Sequence, residues 1–95
     1  MVPADMSALD GNAIAGQLYD VFGGEMTPVH TVCANCGATG RVAELVVYLR
    51  GPGTVARCRH CGVLSMVLVT IRGITCVDLR GIAKMTIESP TEVAR

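Results

Sequence analysis

The chain has 95 residues, of which 51% are hydrophobic and 3% aromatic, with five cysteines, no tryptophan and a formal net charge of zero. That length holds one domain and excludes a multidomain enzyme, while the apolar content and balanced charge exclude a disordered acidic or basic tail. A single core of this size is thin, so an added constraint such as a metal makes structural sense.

Residues 1–9 show no periodic pattern and include Pro3, so they read as a mobile lead-in. A helix is predicted over 11–22, within an N-terminal unit of residues 10–24. Asp10 is its N-cap, and Ile14, Leu18, Val21 and Phe22 form one stripe of a 3.6-residue repeat. Gly23-Gly24 and then Pro28 stop it.

From Val29 the pattern turns to strands, giving a β domain over 29–87. Residues 41–50 alternate Ala43, Leu45, Val47 and Leu49 on one face with Val42, Glu44, Val46 and Tyr48 on the other. Gly51-Pro52-Gly53 turns the chain, and 54–57 return as a short hairpin partner. Residues 63–71 are apolar on both faces and predict a strand buried on both sides. Arg72-Gly73 turns again, 74–80 form the next strand, Gly81 interrupts, and 82–87 form another; 88–95 read as a disordered tail. One short helix covers only one face of such a sheet. The C-terminal strands, a second copy of the chain or another protein is expected over the second.

No basic residue precedes Arg41, so no export signal is expected, and the most apolar stretch, 63–71, falls well short of the ~20 residues of a membrane span. A cytoplasmic, non-membrane protein is expected. In that setting five cysteines point to metal or redox chemistry rather than to a disulfide framework.

Cys33, Cys36, Cys58 and Cys61 read C-x2-C-x21-C-x2-C, and a glycine follows each pair. A two-residue gap lets both thiolates of a tight turn face one ion, and the glycine permits the open backbone that brings amides to the sulfurs. A hairpin between the pairs brings the two turns together. A four-cysteine metal site is predicted at these residues.

The two Cys-x-x-Cys-Gly knuckles separated by a hairpin resemble the zinc-ribbon superfamily. More narrowly, Asp10-Gly11-Asn12-Ala13, Cys33-Ala34-Asn35-Cys36-Gly37-Ala38-Thr39-Gly40 and Asp78-Leu79-Arg80-Gly81 resemble a family of short, uncharacterised bacterial zinc-ribbon proteins. The resemblance implies a small β-rich (α+β) zinc ribbon: an antiparallel sheet, two knuckles, one N-terminal amphipathic helix, and zinc at Cys33, Cys36, Cys58 and Cys61. It implies no established activity. The second knuckle lacks the proline common in ribbons, and Cys76 has no counterpart there. Rubredoxins use the same four-thiolate geometry for iron, but they are acidic and carry an aromatic core, whereas Tyr19, Phe22 and Tyr48 are the only rings here. Zinc is expected over iron.

Four thiolates leave no open coordination position, which makes such a zinc structural. His30 and His60 are expected at the surface, Cys76 on a strand face, and no base-nucleophile pair is visible, so no enzyme is expected. The zero net charge conceals a split. Residues 1–28 carry Asp5, Asp10, Asp20 and Glu25 with no base, whereas 29–86 carry six arginines and Lys84 against Glu44 and Asp78. Arg57 and Arg59 beside Cys58 are the candidates for a phosphate contact, but Tyr48 is the only aromatic of that half, and nucleic-acid ribbons use basic stripes with stacking platforms. The expectation is a structural zinc ribbon acting as a protein-interaction or accessory module, with a protein partner or homodimer. A nucleic-acid-binding ribbon and a rubredoxin-like redox accessory are the alternatives.

Overall fold

A computed structural model describes residues 8–50 and 53–87. Strand β1 (Ala8–Asp10) leads through a 3-10 turn at Gly11–Ile14 into helix α1 (Ala15–Phe22). Then follow β2 (His30–Cys33), β3 (Thr39–Arg41), a 3-10 turn at Val42–Glu44, β4 (Val46–Arg50), β5 (Gly53–Arg57), β6 (Leu64–Ile71), β7 (Ile74–Asp78) and β8 (Ile82–Thr86). They form two antiparallel sheets, a five-stranded one ordered β1-β4-β5-β6-β7 and a three-stranded one ordered β3-β2-β8.

The helix begins and ends where its caps dictate. The Asp10 carboxylate accepts the Asn12 N–H at 3.1 Å, and Gly23, at φ 79°, donates its N–H to the Tyr19 carbonyl at 2.8 Å. The first turn is 3-10 rather than α, and it lies hard against the other 3-10 turn: a Cβ on Gly11 would collide with the Val42 carbonyl. Ile14 and Leu18 are buried and Phe22 packs at the edge of the core, as the stripe requires.

Three strand expectations change. The strand predicted over 41–50 is broken at Val42–Glu44, where Val42 and Ala43 donate to the Val29 and Thr27 carbonyls and the Glu44 carboxylate accepts the Arg41 N–H at 2.9 Å. Val42 and Leu45 are both buried, a spacing of three that suits a 3-10 turn and not an alternating strand. Ala8 and Leu9, expected in the lead-in, pair with Tyr48 and Val47 as β1. The return strand β5 starts at Gly53, and β7 and β8 end before Leu79 and Ile87. Residues 1–7, the Gly51-Pro52 part of the predicted turn and the tail 88–95 lie outside the described residues.

One face of the large sheet carries the core. Val47, Ala56, Met66 and Leu68 are essentially solvent-free and meet Ile14, Leu18, Met26, Val29, Val42 and Leu45, with Leu79, Ile82 and Met85 packed around them. Each of the buried valine, leucine, isoleucine and methionine side chains contributes about 1.5–3 kcal/mol by leaving water. The Thr54 hydroxyl donates to the Gln17 side-chain oxygen at 3.0 Å and ties helix to sheet. A bulge opposite Ala56 and Arg57 leaves Ser65 without a partner, so that Ser65 and Met66 are both buried although they are adjacent.

The other face departs from expectation. Val46, Tyr48, Val55, Val67 and Val69 are only half-buried, and Ile71, Ile74 and Cys76 are exposed. The strand predicted as buried on both sides is therefore buried on one. The C-terminal strands do not fold across the open face: β7 extends the sheet, and β8 pairs with β2.

Candidate metal centre

Cys33 ends β2, and Cys58 immediately follows β5. The loops that follow are built alike. In the first, Cys33 donates its N–H to Ala38 O at 2.9 Å and its carbonyl accepts from Gly37 at 3.0 Å; in the second, Cys58 donates to Val63 O and accepts from Gly62, both at 2.9 Å. Gly37 and Gly62 have φ of 77° and 79°, and a Cβ on either would meet open space, so glycine is required there by backbone conformation and not by crowding.

These loops bring all four predicted sulfurs within 4.8 Å of one another. The Cys33 and Cys61 sulfurs are 3.7 Å apart and those of Cys36 and Cys58 3.8 Å, each pair joining one loop to the other. Four sulfurs at about 2.3 Å from a tetrahedral ion would be about 3.8 Å apart. The leading cysteine of each loop is buried and the second exposed.

Backbone and side-chain N–H groups surround the sulfurs. Asn35 and Cys36 donate backbone N–H groups to Cys33 Sγ at 3.3 and 3.4 Å, His60 donates its own to Cys58 Sγ at 3.4 Å, and Asn35 Nδ2 reaches across to Cys61 Sγ at 3.4 Å. The Asn35 carboxamide, followed by the backbone hydrogen bond of Val63, brings the Cys61 thiol down to about 6. The backbone N–H groups of Cys36 and Asn35 lower Cys33. At Cys36 the backbone hydrogen bond of Ala38 favours the thiolate, but desolvation and the neighbouring sulfurs of Cys61, Cys33 and Cys58 outweigh it and push the thiol up to about 11. Thiolates this close repel one another, so all four ionise together only around a cation. Soft thiolate donors in this arrangement could hold a metal ion.

Other residues fall where the sequence places them or take on parts it does not show. His30 and His60 are exposed, as is Cys76, which lies across from Val69 on β7. Arg57, considered for a phosphate contact, donates from Nη1 to Gly62 O at 2.9 Å and steadies the second loop. Asn35 is the donor that sequence reasoning misses; its only signal is a carboxamide inside the first Cys-x-x-Cys. Gly81, read as a strand interruption, touches both halves of the site: its carbonyl accepts the Ala34 N–H at 2.9 Å, and a Cβ on it would collide with Leu64 O. Beside Cys33 and Cys58, a half-open pocket runs from the exposed Arg59 and His60 to the buried Thr31, Leu45 and Ser65.

A sequence model of a family of unknown function, DUF6510, matches residues 4–90. The chain belongs to DUF6510. No curated protein and no solved structure matches this DUF6510 chain. In this chain the cysteine cluster is consistent with a zinc-ribbon-like motif, but the family that matches is one of unknown function and not a zinc-ribbon family. None of its described helices is long and apolar enough to cross a membrane.

Proposed function

We propose that Cys33, Cys36, Cys58 and Cys61 bind one zinc ion and that the domain is a zinc ribbon, a structural module that serves protein interaction and carries out no chemistry of its own. The supporting observation is the pair of sulfur separations across the loops, 3.7 and 3.8 Å, which suit a single tetrahedral ion. When bound, zinc supplies cross-linking and neutralises the thiolates; with four sulfurs it keeps no position for water or substrate. The chain's own residues orient the sulfurs through the amides of Asn35, Cys36 and His60 and the Asn35 carboxamide.

Metal analysis of the protein purified without added metal tests this reading. One zinc per chain and a colourless solution are expected; stoichiometric iron with visible absorption would replace zinc with a rubredoxin-like centre. One observation favours a nucleic-acid-binding ribbon instead: Tyr48, Arg50, Val55 and Arg57 line one shallow depression on the open sheet face, which joins a ring to two cations. Salt-sensitive binding of oligonucleotides would establish that alternative, because phosphate contacts weaken steeply with salt.

A further inference from the structure

The two cysteine loops are alike in backbone and unlike around their sulfurs. In each, the leading residue, Cys33 or Cys58, is buried and the second, Cys36 or Cys61, is exposed, so a reagent in solution meets the second pair first. Those two are not equivalent. The residue before Cys36 is Asn35, whose carboxamide crosses to the other loop and donates from Nδ2 to Cys61 Sγ at 3.4 Å. The residue before Cys61 is His60, and among the described residues no side-chain N–H makes the return contact to Cys36. Cys61 thus has two donors, the Asn35 carboxamide and the Val63 backbone, and Cys36 has one, the Ala38 backbone.

Around a bound ion all four sulfurs are thiolates, so protonation no longer decides which of them is available. Access and the electron density left on sulfur decide instead. Each N–H donated to a thiolate withdraws some of that density, and the more basic thiolate is the better nucleophile. Access sets Cys36 and Cys61 ahead of Cys33 and Cys58, and the donors set Cys36 ahead of Cys61.

We propose that Cys36 is the sulfur through which peroxide opens the metal centre. The proposal rests on the reading of the four cysteines as ligands of one zinc ion and adds a site of modification to it. Cys36 Sγ attacks one peroxide oxygen: an S–O bond forms, the O–O bond breaks, and the departing hydroxide takes a proton from solvent to become water. The sulfenic acid left at Cys36 lies beside Cys58 Sγ, 3.8 Å away on the other loop. Cys58 Sγ then attacks Cys36 Sγ; an S–S bond forms as the S–O bond breaks, and a second water leaves. Two thiolates lose two electrons and peroxide gains them. Only Cys33 and Cys61 remain to hold the ion, which is lost.

The zinc-loaded chain carrying Cys76→Ser tests this, because that change removes the exposed thiol outside the centre and keeps the four ligands. With less than one equivalent of iodoacetamide, peptide mass spectrometry of the singly labelled chain is expected to find the label on Cys36. Hydrogen peroxide is expected to release the zinc to a chromophoric chelator and to leave a Cys36–Cys58 disulfide. Asn35→Ala, saturated with zinc, bares Cys61 of its side-chain donor and is expected to move part of the label there, a shift that access alone would not produce. A first label on Cys61, labelling unmoved by Asn35→Ala, or a peroxide product other than the Cys36–Cys58 disulfide overturns the proposal and leaves the zinc reading standing. Absence of stoichiometric zinc before treatment overturns both.

Discussion

The backbone N–H of Ala34, inside the first cysteine loop, donates to the carbonyl of Gly81 at 2.9 Å. On its other side Gly81 lies so close to Leu64 and Ser65, just beyond the second loop, that no side chain fits. One glycine therefore spaces the two loops that carry the sulfurs.

Gly81→Ala is expected to cost about 3 kcal/mol, the upper end for overpacking, because the obstructing atoms are backbone and cannot swing aside. Gly37→Ala, which meets open space but needs a left-handed backbone, is expected to cost about 1–2 kcal/mol. Denaturant melts of both metal-loaded variants check the order. Equal losses would mean that the Gly81 contact relaxes easily.

Asn35→Ala removes the side-chain donor to Cys61 and is expected to lower metal affinity about 10- to 100-fold, the usual effect of losing a group that orients a ligand. The pH dependence has a definite sign. Asn35 is the first cause holding the Cys61 thiol near 6, so its loss raises that thiol. Protons then compete with the ion at higher pH, and the midpoint of acid-induced metal release moves upward. Competition with a chromophoric chelator, followed across pH, measures both effects.

Strong chelation, or Cys58→Ser, is expected to unfold much of the β domain. A four-thiolate zinc binds with an apparent ~10–16 kcal/mol, against a whole-domain stability of ~5–15 kcal/mol. Circular dichroism and thermal melting report the loss. An unchanged melt would show that the core around Leu18, Val47 and Leu68 stands without the ion.

Asp78 offers a titration remote from the sulfurs. The Arg80 guanidinium, 2.7 Å away, and then the Arg80 backbone N–H hold its carboxyl down to about 2, below the ordinary 3.8. The folded state thus favours the charged form, and the resulting stabilisation is present above the ordinary value and lost as pH falls through about 2. Carboxyl NMR should place the Asp78 midpoint near 2, and Arg80→Ala should return it toward 3.8. Because the pair is exposed, melting at neutral pH should change little.

The cysteine cluster was legible because its chemistry is written in spacing: two Cys-x-x-Cys-Gly strings need only a hairpin between them to meet. The helix was legible because Asp10 and Gly23 act locally. The break at Val42–Glu44 was not, since Val42 and Leu45 fit an alternating pattern with neighbours on either side, and the deciding contacts come from Thr27, Val29 and Gly11, remote in sequence. The Ala8–Asp10 strand was hidden for the same reason: three residues carry no period, and their order comes from β4. Composition raised the question of the open sheet face, but only the topology shows that β8 goes to β2 instead.

That destination of β8 bears on how the molecule is made. Cys33 lies opposite Ile82, and the first cysteine loop is fastened to Gly81, so the strand and glycine that brace the site come after all four ligands in the chain. During synthesis the sulfurs leave the ribosome first and their brace last. Whatever order the ligands take up during synthesis, β8 can close against β2 only after all four of them have been made.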